Sequence, residues 1–292
     1  MLRSPAVAGY FYQGSSEALR KQVEGFIVPG AKRKRAIGIV SPHAGLIYSG
    51  PVAGALYSSI EIPDTVVLIG PNHTGLGAAV SLMAKGSWET PLGTVEINET
   101  LAASILAKSS HIRDDSVAHL REHSLEVQLP FIQYFKEKFT IVPIQMLDTR
   151  LATCIEVGRA VGAAIWEGSQ ESGVRSQETR NKKIGAPNSE LRTQYDVLIV
   201  ASSDMSHYEP AARAKEKDFK AIQSILDLDP EGLYRTIKDY GITMCGFGPA
   251  VSMLVAAKML GASKAEMVKY ANSGDVSGDY DKVVGYAGIV VS

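Results

Sequence analysis

The chain has 292 residues, 45% of them hydrophobic and 21% charged, with a formal net charge of −1. That length accommodates one large α/β domain or two small ones, and the balanced charge offers no electrostatic footprint for nucleic acid or an anionic membrane. No apolar run approaches the roughly 18 residues that span a bilayer, and MLRSPAVAGYFY lacks the apolar core and cleavage site of a signal peptide. Cys154 and Cys245 are too few for a disulfide framework, so a cytoplasmic protein with no membrane and no nucleic-acid partner is the expectation.

From the N-terminus, Ser15 or Ser16 can cap a helix whose apolar face holds Leu19, Val23, Phe26 and Ile27. KRKR, Lys32 to Arg35, reads as a solvated turn before a strand. AIGIV (36–40) and TVVLIG (65–70) are apolar at nearly every position, the pattern of strands covered on both faces. AVSLM (79–83) and GTVEI (93–97) flank a Trp-Glu-Thr-Pro-Leu-Gly turn and predict an antiparallel pair at the sheet's edge. HLREH (119–123) forms the polar first turn of a predicted helix that continues as SLEVQLPFIQYF and kinks at Pro130.

FTIVPIQML (139–147) is a third buried strand. Cys154, Val157, Gly158, Val161 and Ile165 then form a helical stripe, which makes Cys154 a buried, inert thiol. Residues 167–194 are polar and predict a surface insertion. DVLIVAS (196–202) is a fourth buried strand, PAVSMLVAAKMLG (249–261) a helix that opens with Pro and closes with Gly, and VVGYAGIVV a last strand. The alternation predicts an α/β fold: a single domain over 1–292 with a mostly parallel central sheet and helices on both faces.

Ligands of such sheets bind beyond the carboxyl ends of the strands. There the chain places AIGIVSPH, ending in His43, VVLIGPNH, ending in His73, and VLIVASSDMSH, ending in Asp204 and His207. A lone His after a strand is ordinarily a satisfied loop residue. Three in the same topological position point instead to a metal site, because neutral imidazole is the commonest metal ligand. Cys245, in TMCGFGPA before the predicted helix, offers a third ligand, and the positive end of that helix is expected to lower its pKa.

HLREH also matches the inverted zinc-peptidase pattern H-x-x-E-H, which needs both histidines on one helix face and a third ligand from a distant helix. No convincing Glu-bearing helix follows it. His123 and Glu126, three apart, share a face and can point together into the crevice, while His119 faces solvent.

Seven segments then carry a resemblance: RSPAVAGYFY, SPHAGLIYSG, GPNH, REHSLEVQLPF, SSDMSHY, MCGFGPA and NSGDVSGDYDKVVGYAGI. In this order they resemble the Memo-like protein family, of the AmmeMemoRadiSam system protein B type, and the likeness spans nearly the whole chain outside 167–194. The resemblance implies a class III extradiol dioxygenase-like fold, a metal held by His43, His73 and Cys245, and neighbouring pocket residues Asp204, His207 and His123. It also implies binding of iron or copper and of phosphotyrosine peptides, as described for an animal relative, and a part in redox signalling. The departure from the dioxygenases is a thiolate in place of their carboxylate ligand, so ring cleavage does not carry over with the fold.

The expected function is therefore a metal-binding, non-haem iron redox enzyme of dioxygenase type with an unnamed substrate. Fe(II) is the expected divalent ion, with Cu and Zn as alternatives. His207, Asp204, His123 and Glu126 are the expected catalytic residues: His207 as acid or base oriented by Asp204, and His123 with its tautomer set by Glu126. The alternatives are a module that binds a small molecule or peptide in the same cleft, with Tyr48, Tyr208 and Phe247 as aromatic contacts, or a zinc hydrolase.

Overall fold

The four apolar runs that read as buried strands form the centre of the sheet. The computed structural model describes residues 1–180 and 196–292. The chain opens with β1 (Leu2–Arg3) and α1 (Ser16–Glu24), then lays down β2 (Gly38–Ser41), α2 (Leu46–Ser58) and β3 (Thr65–Pro71). β4 (Val80–Leu82), β5 (Ser87–Thr90), β6 (Gly93–Ile97), α3 (Glu99–Ala107) and β7 (Arg113–Asp114) follow. Two single 3-10 turns, Val117–His119 and Glu126–Gln128, lead into α4 (Leu129–Phe135), β8 (Thr140–Met146) and α5 (Leu151–Arg180). The remainder holds β9 (Val197–Ser202), β10 (His207–Glu209), α6 (Ala211–Leu226) and α7 (Pro230–Asp239). It ends with α8 (Phe247–Met259), β11 (Ala265–Asn272), α9 (Gly274–Ser277) and β12 (Val283–Val291).

The central strands run parallel in the order β8-β3-β9-β2, with β6 parallel on the far side of β8 and β12 antiparallel on β2. All residues of β2 and β3 are buried, because helices cover the sheet and leave these strands no solvent face. α8 packs on β2, β3 and β9 with α5 lying across it, while α2 packs on β2, β11 and β12. This is the single α/β domain with a parallel centre that the alternation predicts, although the flanking strands are largely antiparallel. None of the described helices is long and apolar enough to cross a membrane.

Several local expectations are corrected. GTVEI pairs with Ser87–Thr90, and AVSLM pairs with β8 and β7, so the predicted pair between them does not form. Both segments carry strand patterning, and alternation alone cannot choose the partner. Ser15 does cap α1, its Oγ accepting from the Ala18 amide at 3.4 Å, but the helix ends at Glu24 and leaves Phe26 and Ile27 beyond it. Pro130 sits in the first turn of α4 and starts that helix instead of kinking it, since proline's missing N–H is harmless there. The HLREH segment is a 3-10 turn and irregular chain, so it offers no helix face for two histidines four apart. Of the predicted insertion, residues 167–180 continue α5, and 181–194 lie outside the described residues.

The register matters for function. Ser41 pairs with Ser202, so His43 and Asp204, each two residues further on, leave adjacent strands at the same level. β9 lies between β2 and β3, which brings the loop carrying His73 to the other side of the same point. α8 is held close behind this edge through its crossing with α5, where a Cβ on Gly158 would stand 2.5 Å from the Ser252 carbonyl oxygen. Gly158→Ala should therefore lower stability by about 1–2 kcal/mol, the overpacking cost exceeding the gain in helix propensity. Urea unfolding measures it, and an unchanged or raised stability would contradict the close crossing.

Candidate metal centre

The donor atoms of His43, His73 and Cys245 lie within 4.8 Å of one another. His43 is buried, His73 exposed and Cys245 partly buried beside them. Cys245 Sγ stands 3.3 Å from His43 Nε2 and accepts from the Asp204 amide at 3.3 Å. Gly246, the next residue, has no room for a side chain, because a Cβ there would be 2.2 Å from the Ser202 carbonyl oxygen. That close approach is what brings the loop before α8 down onto the end of β9.

The ring nitrogen of each histidine that faces away from the cluster is anchored by the chain. His43 Nδ1 meets Ser202 Oγ at 2.9 Å, and His73 Nδ1 donates to Glu122 Oε1 at 3.0 Å. His207 Nδ1 donates to the Thr243 carbonyl at 2.9 Å, while its amide donates to Thr243 Oγ1. The rings of His43, His73 and His123 form a triangle with centroids 4.9 to 5.6 Å apart.

Glu122 was not among the expected site residues, yet it is the carboxylate around which the cluster is organised. It has no exposed side-chain surface and accepts from the amides of His73, His123 and Ser124 and from the ring of His73, with His123 Nδ1 3.2 Å from its Oε1. A second group of potential ligands, His73, Glu122 and His123, shares this spot. The only sequence signal was the Glu inside HLREH, which the zinc-peptidase pattern assigns to a different role.

Glu126 does not turn toward His123. It is buried with Arg3, 2.6 Å from the guanidinium, and accepts from the amides of Ala6 and Val7 and from Tyr12 Oη. His123 lies in irregular chain ahead of the 3-10 turn that holds Glu126, so no helix aligns the two side chains, and the carboxylate beside His123 Nδ1, at 3.2 Å, is Glu122. Asp204 likewise does not hold His207: its Oδ1 accepts from the amides of His43 and Ala44, at 2.8 and 3.3 Å. His119 lies outside both ligand groups, but it is buried against Trp88 and does not face solvent.

Burial dominates the electrostatics. It pushes His43 well below the usual histidine range, helped by the neighbouring His123 and His73. It lowers His123 as well, against the opposing pull of Glu122. Asp204 is raised by burial despite its two amide donors. Cys245 is raised by burial and by the Asp204 carboxylate, which reverses the expected lowering by the helix end. Cys154 is buried on α5 and pushed up to about 12 by burial and then by Asp148.

Two outcomes follow from these groups. In metal-free protein both thiols should react slowly with iodoacetamide at pH 7.5, because little thiolate is present; fast labelling of either, read by mass spectrometry, would contradict the burial argument. Glu122 presents the opposite case: burial alone raises a carboxyl, but the His73 hydrogen bond and charge, the Ser124 amide and His123 together hold it at about 2, below its ordinary 4.5. At about 1.4 kcal/mol per pKa unit this is on the order of 3 kcal/mol of stability, present above pH 4.5 and lost as pH falls toward 2. Glu122→Gln should flatten that acid limb in a series of urea unfolding curves, and an unchanged limb would refute the assignment.

Comparison with known proteins identifies the family of the chain. The Memo-like protein family profile matches residues 3–176 and 173–290. A MEMO1 family protein of Methanothermobacter thermautotrophicus is 42% identical, with 98% of this chain and 99% of that protein aligned. MEMO1 family proteins of Methanopyrus kandleri and Aquifex aeolicus are each 43% identical, with 99% of this chain aligned to 99% and 98% of theirs. Among solved structures, an uncharacterized protein of Escherichia coli K12 is similar in fold, with a TM-score of 0.52 at 10% identity over 88% of this chain and 100% of that one. The chain belongs to the Memo-like protein family.

Proposed function

We propose that this protein is a metal-binding redox protein in which His43, His73 and Cys245 hold one divalent ion. The observation that carries the reading is the meeting of the three donor atoms within 4.8 Å at the carboxyl ends of parallel strands. Ligands at about 2.0–2.3 Å from one ion stand roughly 3–4 Å apart, and the 3.3 Å between Cys245 Sγ and His43 Nε2 falls in that range. Two imidazoles and a thiolate suit Fe(II), and also Cu and Zn.

A bound ion of this kind supplies open coordination positions and, for Fe or Cu, redox chemistry. The chain's own residues supply the rest. His207, fixed through Nδ1 on Thr243, leaves Nε2 to take up or release a proton in the cleft. His123, held by Glu122, is placed to contact a small molecule beside His73. Asp204 keeps the loop at His43 and Ala44 in place through their amides, so its role is to shape the site around the His43 ring.

The second reading is a cleft that binds a small molecule or peptide without catalysis. Tyr208, 74% exposed beside His207 and held at φ 59, favours it, since a bulky residue in left-handed backbone signals stored strain at a functional surface.

The test is metal analysis of anaerobically purified protein, followed by oxygen uptake over a panel of catechols and small thiols. About one equivalent of metal is expected in the native chain, and at least tenfold less in His73→Ala and Cys245→Ala. His119→Ala should keep its metal. Equal loss in His119→Ala and His73→Ala would overturn the ligand set, and ligand binding indifferent to chelators would leave the cleft as a binding surface alone.

A further inference from the structure

We propose that Ser202, itself held by Gln128, is the positioning residue that keeps the ring proton of His43 on Nδ1 and so presents the Nε2 lone pair to Cys245. The geometry stands by itself; its consequence for ligation rests on the metal-centre reading. Ser202 ends β9 and is completely buried, one strand away from His43. A serine hydroxyl has one proton to donate and two lone pairs. The proton is committed to the Ser124 carbonyl, a pure acceptor 2.6 Å away.

Gln128 Nε2 donates into Ser202 Oγ at 2.8 Å. The orientation of that amide is fixed from both sides: Nε2 also donates to the Pro42 carbonyl at 2.9 Å, and Oε1 accepts from Tyr57 Oη at 2.9 Å. Turning the amide over would set its oxygen against the Pro42 carbonyl. One lone pair of Ser202 Oγ therefore remains, and His43 Nδ1 lies 2.9 Å from it. With no proton left on Oγ for that direction, the imidazole must be the donor. Its other nitrogen, Nε2, is then an acceptor, and it faces Cys245 Sγ at 3.3 Å. Tyr57, Gln128, Ser202 and Ser124 thus form a buried chain whose single consistent set of proton positions ends at the tautomer of His43. Outer partners of this kind orient a ligand and tune its basicity.

The test uses the full chain labelled with 15N-histidine, metal-free, with long-range 1H–15N correlation spectra and His43→Gln to assign the signal. His43 should show the Nδ1–H tautomer. In Ser202→Ala the two donors that met at Oγ lose their acceptor, and the proton should move to Nε2 in a large part of the population. The affinity of that variant for Zn2+ or Co2+, measured by competition with a chelator dye, should fall about 10- to 100-fold. Ser202→Thr, which keeps the hydroxyl, should restore both.

An Nε2–H tautomer in the wild-type chain overturns the proposal without recourse to any variant. So does a Ser202→Ala protein that keeps the Nδ1–H tautomer. A wild-type chain with the Nδ1–H tautomer, inverted in Ser202→Ala, that takes up neither Zn2+ nor Co2+ would remove the metal reading and leave the lock standing.

Discussion

The site depends on one buried carboxylate. Glu122 has no exposed side-chain surface, yet it gathers three backbone amides and two imidazoles. A desolvated charge costs several kcal/mol unless its lone pairs are filled, and the geometry that fills them is narrow. Meeting that requirement ties the loop after β3, which carries His73, to the segment between the two 3-10 turns, which carries His123. The stacked rings of His73 and His123, 4.9 Å apart, follow from their common attachment. Elsewhere the sheet brings strand ends to one level; here a single carboxylate decides how two of the side chains that emerge are turned.

Glu126, four residues on, does the complementary work behind the cleft. It pairs with Arg3, which lies 4.1 Å over the Trp88 ring and donates to the carbonyls of His119 and Glu122. The amides of Ala6 and Val7 and the hydroxyl of Tyr12 complete the carboxylate's shell. The N-terminal segment is thereby fastened to the same stretch that presents Glu122 and His123. Phe11 continues the wall, its ring 4.6 Å from His123 and its carbonyl accepting from the Leu46 amide. An ion pair this deep adds little net stability over apolar packing. What it fixes is position, because moving Arg3 would release two carbonyls and leave the Glu126 carboxylate without its cation at once.

How much of this could be read in the sequence follows from the range of each interaction. The buried strands were legible because apolar runs at TVVLIG and VLIVAS have no alternative in a sheet covered on both faces. His43 and His73 were legible because strand ends are where α/β sheets gather ligands. The partner of GTVEI was not, since two adjacent segments of similar pattern compete for one edge. Glu126 was misassigned because its spacing from His123 was read on a helix that does not form: His123 lies in irregular chain, and the 3-10 turn begins only at Glu126. Arg3, whose partners His119, Glu122 and Glu126 lie more than a hundred positions away, carried no local signal at all.

The thiol shows which of two opposing effects wins at the cleft floor. A helix N-terminus stabilises a nearby anion by roughly 0.3–1 kcal/mol, up to about 2 in partly buried geometry. Desolvation of a buried group can move a pKa by about 3–5 units, several times as much. Cys245 lies two residues before α8, beside the Asp204 carboxylate and under the rings of the cluster, so burial prevails and the free thiol stays protonated. Its proton has an acceptor at hand in His43 Nε2, provided that nitrogen carries none of its own. The same burial keeps His43 and His123 neutral. A buried imidazole and thiol that are both uncharged give a nearby anion little electrostatic reason to settle on them, whereas a dication can exchange for the thiol proton and meet the ready lone pair of His43. Burial, which makes this cysteine a poor nucleophile, is therefore compatible with its being a good ligand.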